Sequence, residues 1–171
     1  MIGPPDESAY AVDPAGVANI TASALYFIAS LLLFSRQISA IKPDYAAVTF
    51  DLKTPTFRHK MYDGYKAGRH ATPEDLISQF PDAKECLSLM GLHVLELAGY
   101  EADDIQGTVA KMASNSKDTE AYVLSGDRDL LQLISPQVSV LLAGNAETAC
   151  MDRDAFFAKY GVEPEQFVDV K

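Results

Sequence analysis

The feature that most constrains this chain is the alternation of short apolar runs of strand length with helical stretches, an order that few architectures accommodate. Tyr45-Ala46-Ala47-Val48-Thr49-Phe50 reads as a buried strand that ends at Asp51. Residues 93–97 read as a second strand, 101–113 as a helix, 121–125 as a third strand, 128–134 as a short helix and 138–142 as a fourth strand. Ahead of them a helix around residues 20–40 is stopped by Pro43. Another starts at Thr72-Pro73-Glu74-Asp75, with Thr72 as N-cap and Pro73 at the first helical position, is kinked or split at Pro81, and stops at Gly91. Strands separated by helices imply right-handed crossovers, hence an α/β fold with a mainly parallel central sheet and helices on both faces. Ligands of such sheets bind beyond the carboxyl ends of the strands.

Six acids fall at that edge. Asp51 closes the first strand, Glu101, Asp103 and Asp104 follow the second, and Asp127 and Asp129 follow the third. Two unit charges ~4 Å apart repel by about 4 kcal/mol at an effective dielectric near 20, so gathering carboxylates requires cations. Hard oxygen ligands select Mg2+ or Mn2+, and a carboxylate-rich site with open positions suits two ions ~4 Å apart that hydrolyse a phosphodiester. Each piece also has a structural reading. Acids in a first helical turn answer the macrodipole, Ser125-Gly126-Asp127-Arg128-Asp129 is a strand-to-helix turn, and Asp51 alone is a surface aspartate. One acidic group per strand end favours the metal site.

The formal net charge of −10 argues against a polyanionic partner until its distribution is seen. Between Lys53 and His70, the cations Lys53, Arg58, Lys60, Lys66 and Arg69 face one acid, Asp63, a local balance of +4, so the other 153 residues carry −14. A basic strip suits phosphate, and concentrated acids elsewhere suit metal. Tyr62 and Tyr65, interleaved with Lys66 and Arg69, favour contact with a nucleic-acid strand, since rings stack on bases while cations hold phosphates. The alternative for this segment is a solvated face.

The remaining features are less specific. Ile20 to Phe34 is an uncharged run of 15 residues, short of the ~20 that span a bilayer, so a buried helix is expected and no membrane partner. The N-terminus lacks the basic region of a secretory signal, and a cytoplasmic location is expected. Cys86 and Cys150 read as small core residues, and His59, His70 and His93 form no recognisable site. Neither GxGxxG nor a P-loop follows any expected strand, which disfavours a nucleotide-binding Rossmann domain.

Five ordered motifs carry a resemblance. Phe50-Asp51, Thr56-Phe57-Arg58, Tyr65-Lys66-Ala67-Gly68-Arg69, Glu101-Ala102-Asp103-Asp104 and Ser125-Gly126-Asp127-Arg128-Asp129 are similar to consecutive motifs of the 5′ to 3′ exonuclease domain of bacterial DNA polymerase I and related flap endonucleases. The likeness runs from about Gly16 to the C-terminus, leaving residues 1–15 as a loose arm. It implies a resolvase-like, PIN-type fold and two-metal hydrolysis of DNA near 5′ ends and flaps, in replication and repair. It assigns Asp51, Glu101, Asp103, Asp104, Asp127 and Asp129 to Mg2+ or Mn2+, two ions expected. Lys53, Arg58, Tyr62, Tyr65, Lys66 and Arg69 are the expected DNA-binding residues, with Lys66 and Arg69 also neutralising the scissile phosphate.

Two departures qualify this. The family opens with a strand that ends in an aspartate, whereas the first residues here hold only Asp6 after Pro4-Pro5, and Pro disfavours a central strand. The family also continues, beyond the point corresponding to Lys171, into a helix-three-turn-helix element that holds duplex DNA. The sequence therefore reads as truncated, with weak cleavage expected unless a polymerase domain or partner supplies the missing parts. A PIN-type ribonuclease and a non-catalytic DNA-binding remnant are the alternatives, and the oligomeric state is open.

Overall fold

In the computed structural model, the strands His93–Leu95, Ala121–Ser125 and Thr148–Met151 are each followed closely by a helix or 3-10 turn. The structure describes residues 30–69, 71–144 and 147–170. In chain order these form α1 (30–41), β1 (Ala47–Thr49), α2 (Phe57–Met61), α3 (Glu74–Ile77), α4 (Phe80–Leu89), β2 (His93–Leu95), α5 (Ala102–Ser114), β3 (Ala121–Ser125), a 3-10 turn (Arg128–Leu133), β4 (Val138–Ala143), β5 (Thr148–Met151), α6 (Arg153–Tyr160), a second 3-10 turn (Pro164–Gln166) and α7 (Phe167–Val170).

The mainly parallel α/β architecture expected from the alternation is present, as two small sheets. In the first, β1 pairs with β2. His93 N–H donates to Ala46 O and Phe50 N–H to Leu95 O, so the positions advance together, as in parallel strands. In the second, β4 lies between β3 and β5, parallel to β3 from Ala121↔Val138 to Ser125↔Leu142 and antiparallel to β5 from Val140↔Met151 to Ala143↔Thr148. Val138 and Val140 of β4, two positions apart and so on one face, are at most 1% exposed.

Two compact units divide the described residues. One takes in those of Met1–Val48 and Lys66–Val94, the other Thr49–Tyr65 and Leu95–Lys171. In the first, α4 buries Ala83 and Leu87, four residues apart on one helical face. In the second, Ala110 and Ala113 of α5, Leu131, Val140, Phe156 and Phe167 belong to one hydrophobic cluster. This core fixes α5 and the first 3-10 turn, the two elements that carry most of the acids.

Several boundaries differ from the sequence reading, each for a local reason. β1 and β2 are three residues long where six and five were expected, and among the described residues each pairs only with the other. Tyr45 is 89% exposed and lies outside the strand. Thr72 does not cap α3. Pro73, with an extended ψ of 140°, is itself the N-cap, and its carbonyl accepts from Leu76 and Ile77 N–H. Pro81 does split the helix, opening α4 after the turn at Ser78 and Gln79, and Gly91 follows its end with φ 83°. The helix expected around 20–40 is described only from residue 30. Its described part, 30–41, holds only exposed and half-buried residues, so the buried helix expected there is not seen in it. Cys86 is half-buried and Cys150, on β5, is exposed, so neither is a core residue. No helix among the described residues is long and apolar enough to cross a membrane. The arm at 1–15, Asp6, most of the apolar run and His70 lie outside the described residues.

Candidate metal-binding and nucleic-acid site

The N-terminus of α5 organises the acids. Its first amides have no partner within the helix and carry its positive dipole end, so carboxylates are favoured there. Asp51, two residues beyond β1, accepts from Ala102 N–H through Oδ1 at 2.6 Å, 51 positions away in sequence. Asp104 Oδ2 accepts from the Glu101 N–H at 2.9 Å, which fixes the entry into the helix. Thr49 and Gln106 add a side-chain hydrogen bond of 3.0 Å between the end of β1 and α5. Asp103, between the engaged acids, is exposed in the first turn.

A second set of contacts joins α2 to the same helix end. The Arg58 guanidinium donates to Asp104 through two parallel bonds, Nη1 to Oδ2 and Nη2 to Oδ1, both 2.7 Å. Its Nη1 also lies 3.8 Å from Glu101 Oε2. Tyr65 O–H donates to that same Oε2 at 3.0 Å. The hydrogen bond to Asp104 raises the Arg58 pKa above its already high ordinary value; burial opposes this, and the charges of Asp104 and Glu101 reinforce it. Glu101 is only 8% exposed, and it meets a guanidinium cation and a hydrogen-bond donor, the Tyr65 phenol, on one oxygen. α2 holds Arg58 in place through Phe57 N–H to Gly99 O at 2.8 Å, Thr56 Oγ1 to His59 Nδ1 at 2.8 Å, and the Tyr65 ring edge-on to His59 at 5.0 Å. His59 thus has a structural place, and His93 is exposed.

Asp127 and Asp129 come two and four residues after β3, on the first 3-10 turn, which packs against α5. Asp127 caps that turn, its Oδ1 accepting from Asp129 N–H at 2.8 Å, and its side chain is exposed. All six acids therefore belong to the second compact unit. The structural readings of the three acidic groups hold together with their common location: Asp51 and Asp104 serve α5, and Asp127 serves its turn.

Of the expected DNA-binding residues, Lys53, Arg58, Tyr62 and Tyr65 are in the second unit and Lys66 and Arg69 in the first. Lys53, Tyr62 and Arg69 are exposed; Arg58, Tyr65 and Lys66 are half-buried. Lys66 has a φ of 59°, in the left-handed region that non-glycine residues rarely adopt and that recurs at functional sites. Its carbonyl accepts from Arg69 N–H at 3.0 Å in a tight turn. Sequence reasoning placed Arg58 among the phosphate-gripping cations; the structure pairs it with Asp104 and Glu101. The rings of Phe57 and Tyr100 lie 5.6 Å apart beside this network, a contact that no sequence spacing signals.

As a donor set, six carboxylates from three strand ends of one unit fit a hard divalent cation. Among the described residues, however, no three acidic, histidine or cysteine side chains stand close enough together to hold an ion. Backbone amides, Arg58 and Tyr65 engage Asp51, Asp104, Asp127 and Glu101 individually and keep like charges apart.

Comparison with known proteins places the chain in a family and a fold. Residues 10–161 match the family described as 5′-3′ exonuclease, N-terminal resolvase-like domain. The chain is 46% identical to the thermostable DNA polymerase I of Thermus filiformis over 141 residues, 81% of this chain and 16% of that one. It is 37% identical to DNA polymerase I of Streptococcus pneumoniae over 157 residues, 91% of this chain and 18% of that one. It thus spans under a fifth of these relatives. In fold it is similar to the T5 5′-exonuclease with divalent zinc bound, at a TM-score of 0.63 and 20% identity, covering 95% of this chain and 59% of that one. A T5 flap endonuclease in complex with DNA and metal ions is similar at a TM-score of 0.64 and 18% identity, covering 85% and 55%.

Proposed function

The chain belongs to the family of 5′-3′ exonuclease N-terminal resolvase-like domains, and from that premise we propose that it is the core of a metal-dependent nuclease that hydrolyses DNA near 5′ ends and flaps. The observation that carries this reading is the placement of all six acids on one compact unit, grouped after the carboxyl ends of β1, β2 and β3. Asp51, Glu101, Asp103, Asp127 and Asp129 would hold Mg2+ or Mn2+, two ions in all, their side chains turning from their present partners as cations arrive. Bound, such ions supply a Lewis acid and an activated water. The chain's own residues do the rest. The buried Glu101 carboxylate is oriented by Arg58 and Tyr65. Lys53, Lys66 and Arg69 grip phosphates, and the exposed Tyr62 ring offers a surface for a base. The relatives are DNA polymerases, so polymerase activity on the same or a partner chain is the companion this reading implies.

Incubation of the chain with a 5′-labelled DNA flap and a matched RNA, each with Mg2+ or Mn2+, tests the reading. Short 5′ products from DNA that vanish with chelator are expected. Preferential cutting of RNA would indicate a PIN-type ribonuclease, and DNA binding without products a non-catalytic remnant.

The grip has its own signature. Lys66→Ala and Arg69→Ala are expected to weaken single-stranded DNA binding and each lower the log–log salt slope by about 0.7, one phosphate contact apiece. Tyr62→Ala should weaken binding by about 1–3 kcal/mol with the slope unchanged. Fluorescence anisotropy across a salt series measures both, and wild-type behaviour in all three variants would leave the segment a solvated face.

A further inference from the structure

The acids of this chain are not equivalent. Glu101 and Asp103 extend from the start of α5 with Asp104 beside them, and by composition any of the three suits a metal. Asp104 differs in what it already holds. Both of its oxygens accept from Arg58 at 2.7 Å, and Oδ2 accepts in addition from the Glu101 amide at 2.9 Å. A carboxylate has about four acceptor directions, and three are taken here in near-ideal geometry. Turning Asp104 toward an ion would release a bidentate guanidinium pair and a helix cap together. Asp51 and Asp127, by contrast, are each seen to hold a single backbone amide and stand at the surface.

The consequence of that grip falls on Glu101. Asp104 fixes the guanidinium by two bonds, and the fixed guanidinium places Nη1 3.8 Å from Glu101 Oε2, too long for a direct hydrogen bond. Tyr65 O–H occupies the same oxygen at 3.0 Å. Arg58 is thereby held just off Glu101, near enough to balance its charge and restrained from closing on it.

We propose that Asp104 is a positioning residue and not a metal ligand: it restrains Arg58, and through Arg58 fixes the orientation in which the Glu101 carboxylate meets a divalent cation. This rests on the metal-dependent reading above. Without Asp104, Arg58 closes onto Glu101 as a competing cation.

A double-mutant cycle read by calorimetric Mn2+ titration separates this role from ligation. With Arg58 present, Asp104→Asn should weaken Mn2+ binding ~10-fold, the scale of losing a partner that orients a ligand. In the Arg58→Ala background the same substitution should change Mn2+ affinity less than ~2-fold, because the competing cation is gone. Asp103→Asn should cost the same factor in both backgrounds, as a ligand does. An undiminished cost of Asp104→Asn in the Arg58→Ala background would overturn the proposal. If the wild type takes up no Mn2+, the metal reading fails, and the cycle is read on metal-free melting temperatures instead. There, loss of either partner should depress melting and loss of the second should add little; fully additive losses would overturn the restraint of Arg58 by Asp104.

Discussion

Replacing Asp103 and Asp127 together by asparagine is expected to lower single-turnover cleavage of a 5′-labelled DNA flap by at least about 100-fold, since each misplaced or missing charge-stabilising group typically costs that much. The pair isolates chemistry from folding. Both side chains are exposed, so no core contact is lost. Asn at 127 retains an oxygen able to cap the 3-10 turn, and Asp103 is neither the N-cap of α5 nor the acid that holds its entry. What disappears is negative charge from two of the three strand ends. Far-ultraviolet circular dichroism and metal-free melting should therefore stay near wild type while the rate collapses. A rate within a few-fold of wild type would mean that these acids do not take part in the reaction.

The largest expected effect on stability lies elsewhere in the same unit. Phe156 of α6 is fully buried, its ring 4.7 Å from that of Tyr160 and 5.3 Å from Phe167, the latter edge to face. Phe156→Ala removes one ring of this trio and leaves a cavity that the neighbouring helices cannot fill without moving. A loss of about 3–5 kcal/mol is expected, a large share of the roughly 5–15 kcal/mol that holds a domain. Urea unfolding should show a lower midpoint with an unchanged slope. A loss under about 1 kcal/mol would show that α6 and α7 are an appendage and not part of the core.

Different parts of this molecule were legible in the sequence to different degrees. β3 runs from Ala121 to Ser125, as its bounded apolar run implies, and α5 begins one residue after Glu101 because that acid is its N-cap. These elements combine a clear period with clear punctuation. The acids were legible for the same reason: each group directly follows a recognisable strand or opens a helix. β5 was not anticipated, because Thr148-Ala149-Cys150-Met151 has neither alternation nor β-branched enrichment. α6 carried usable signals that were overlooked, an Asp152 N-cap whose Oδ1 accepts from Ala155 N–H at 2.8 Å and a left-handed Gly161 at its end. The pairing of Arg58 with Asp104 spans 46 positions and has no local sign. A cation among cations reads as a phosphate contact, and only the tertiary fold brings it to a carboxylate.

The central claim, that the acids at three strand ends form one divalent-cation site, is tested most directly by melting the wild type and the Asp103→Asn, Asp127→Asn variant with and without Mn2+. A ligand that binds only the folded state adds RT ln(1 + [L]/Kd) to stability, about 2.7 kcal/mol at 100 times Kd. Mn2+ should raise the wild-type melting temperature by several degrees and that of the variant far less. An equal rise in both, or none in either, would contradict the claim.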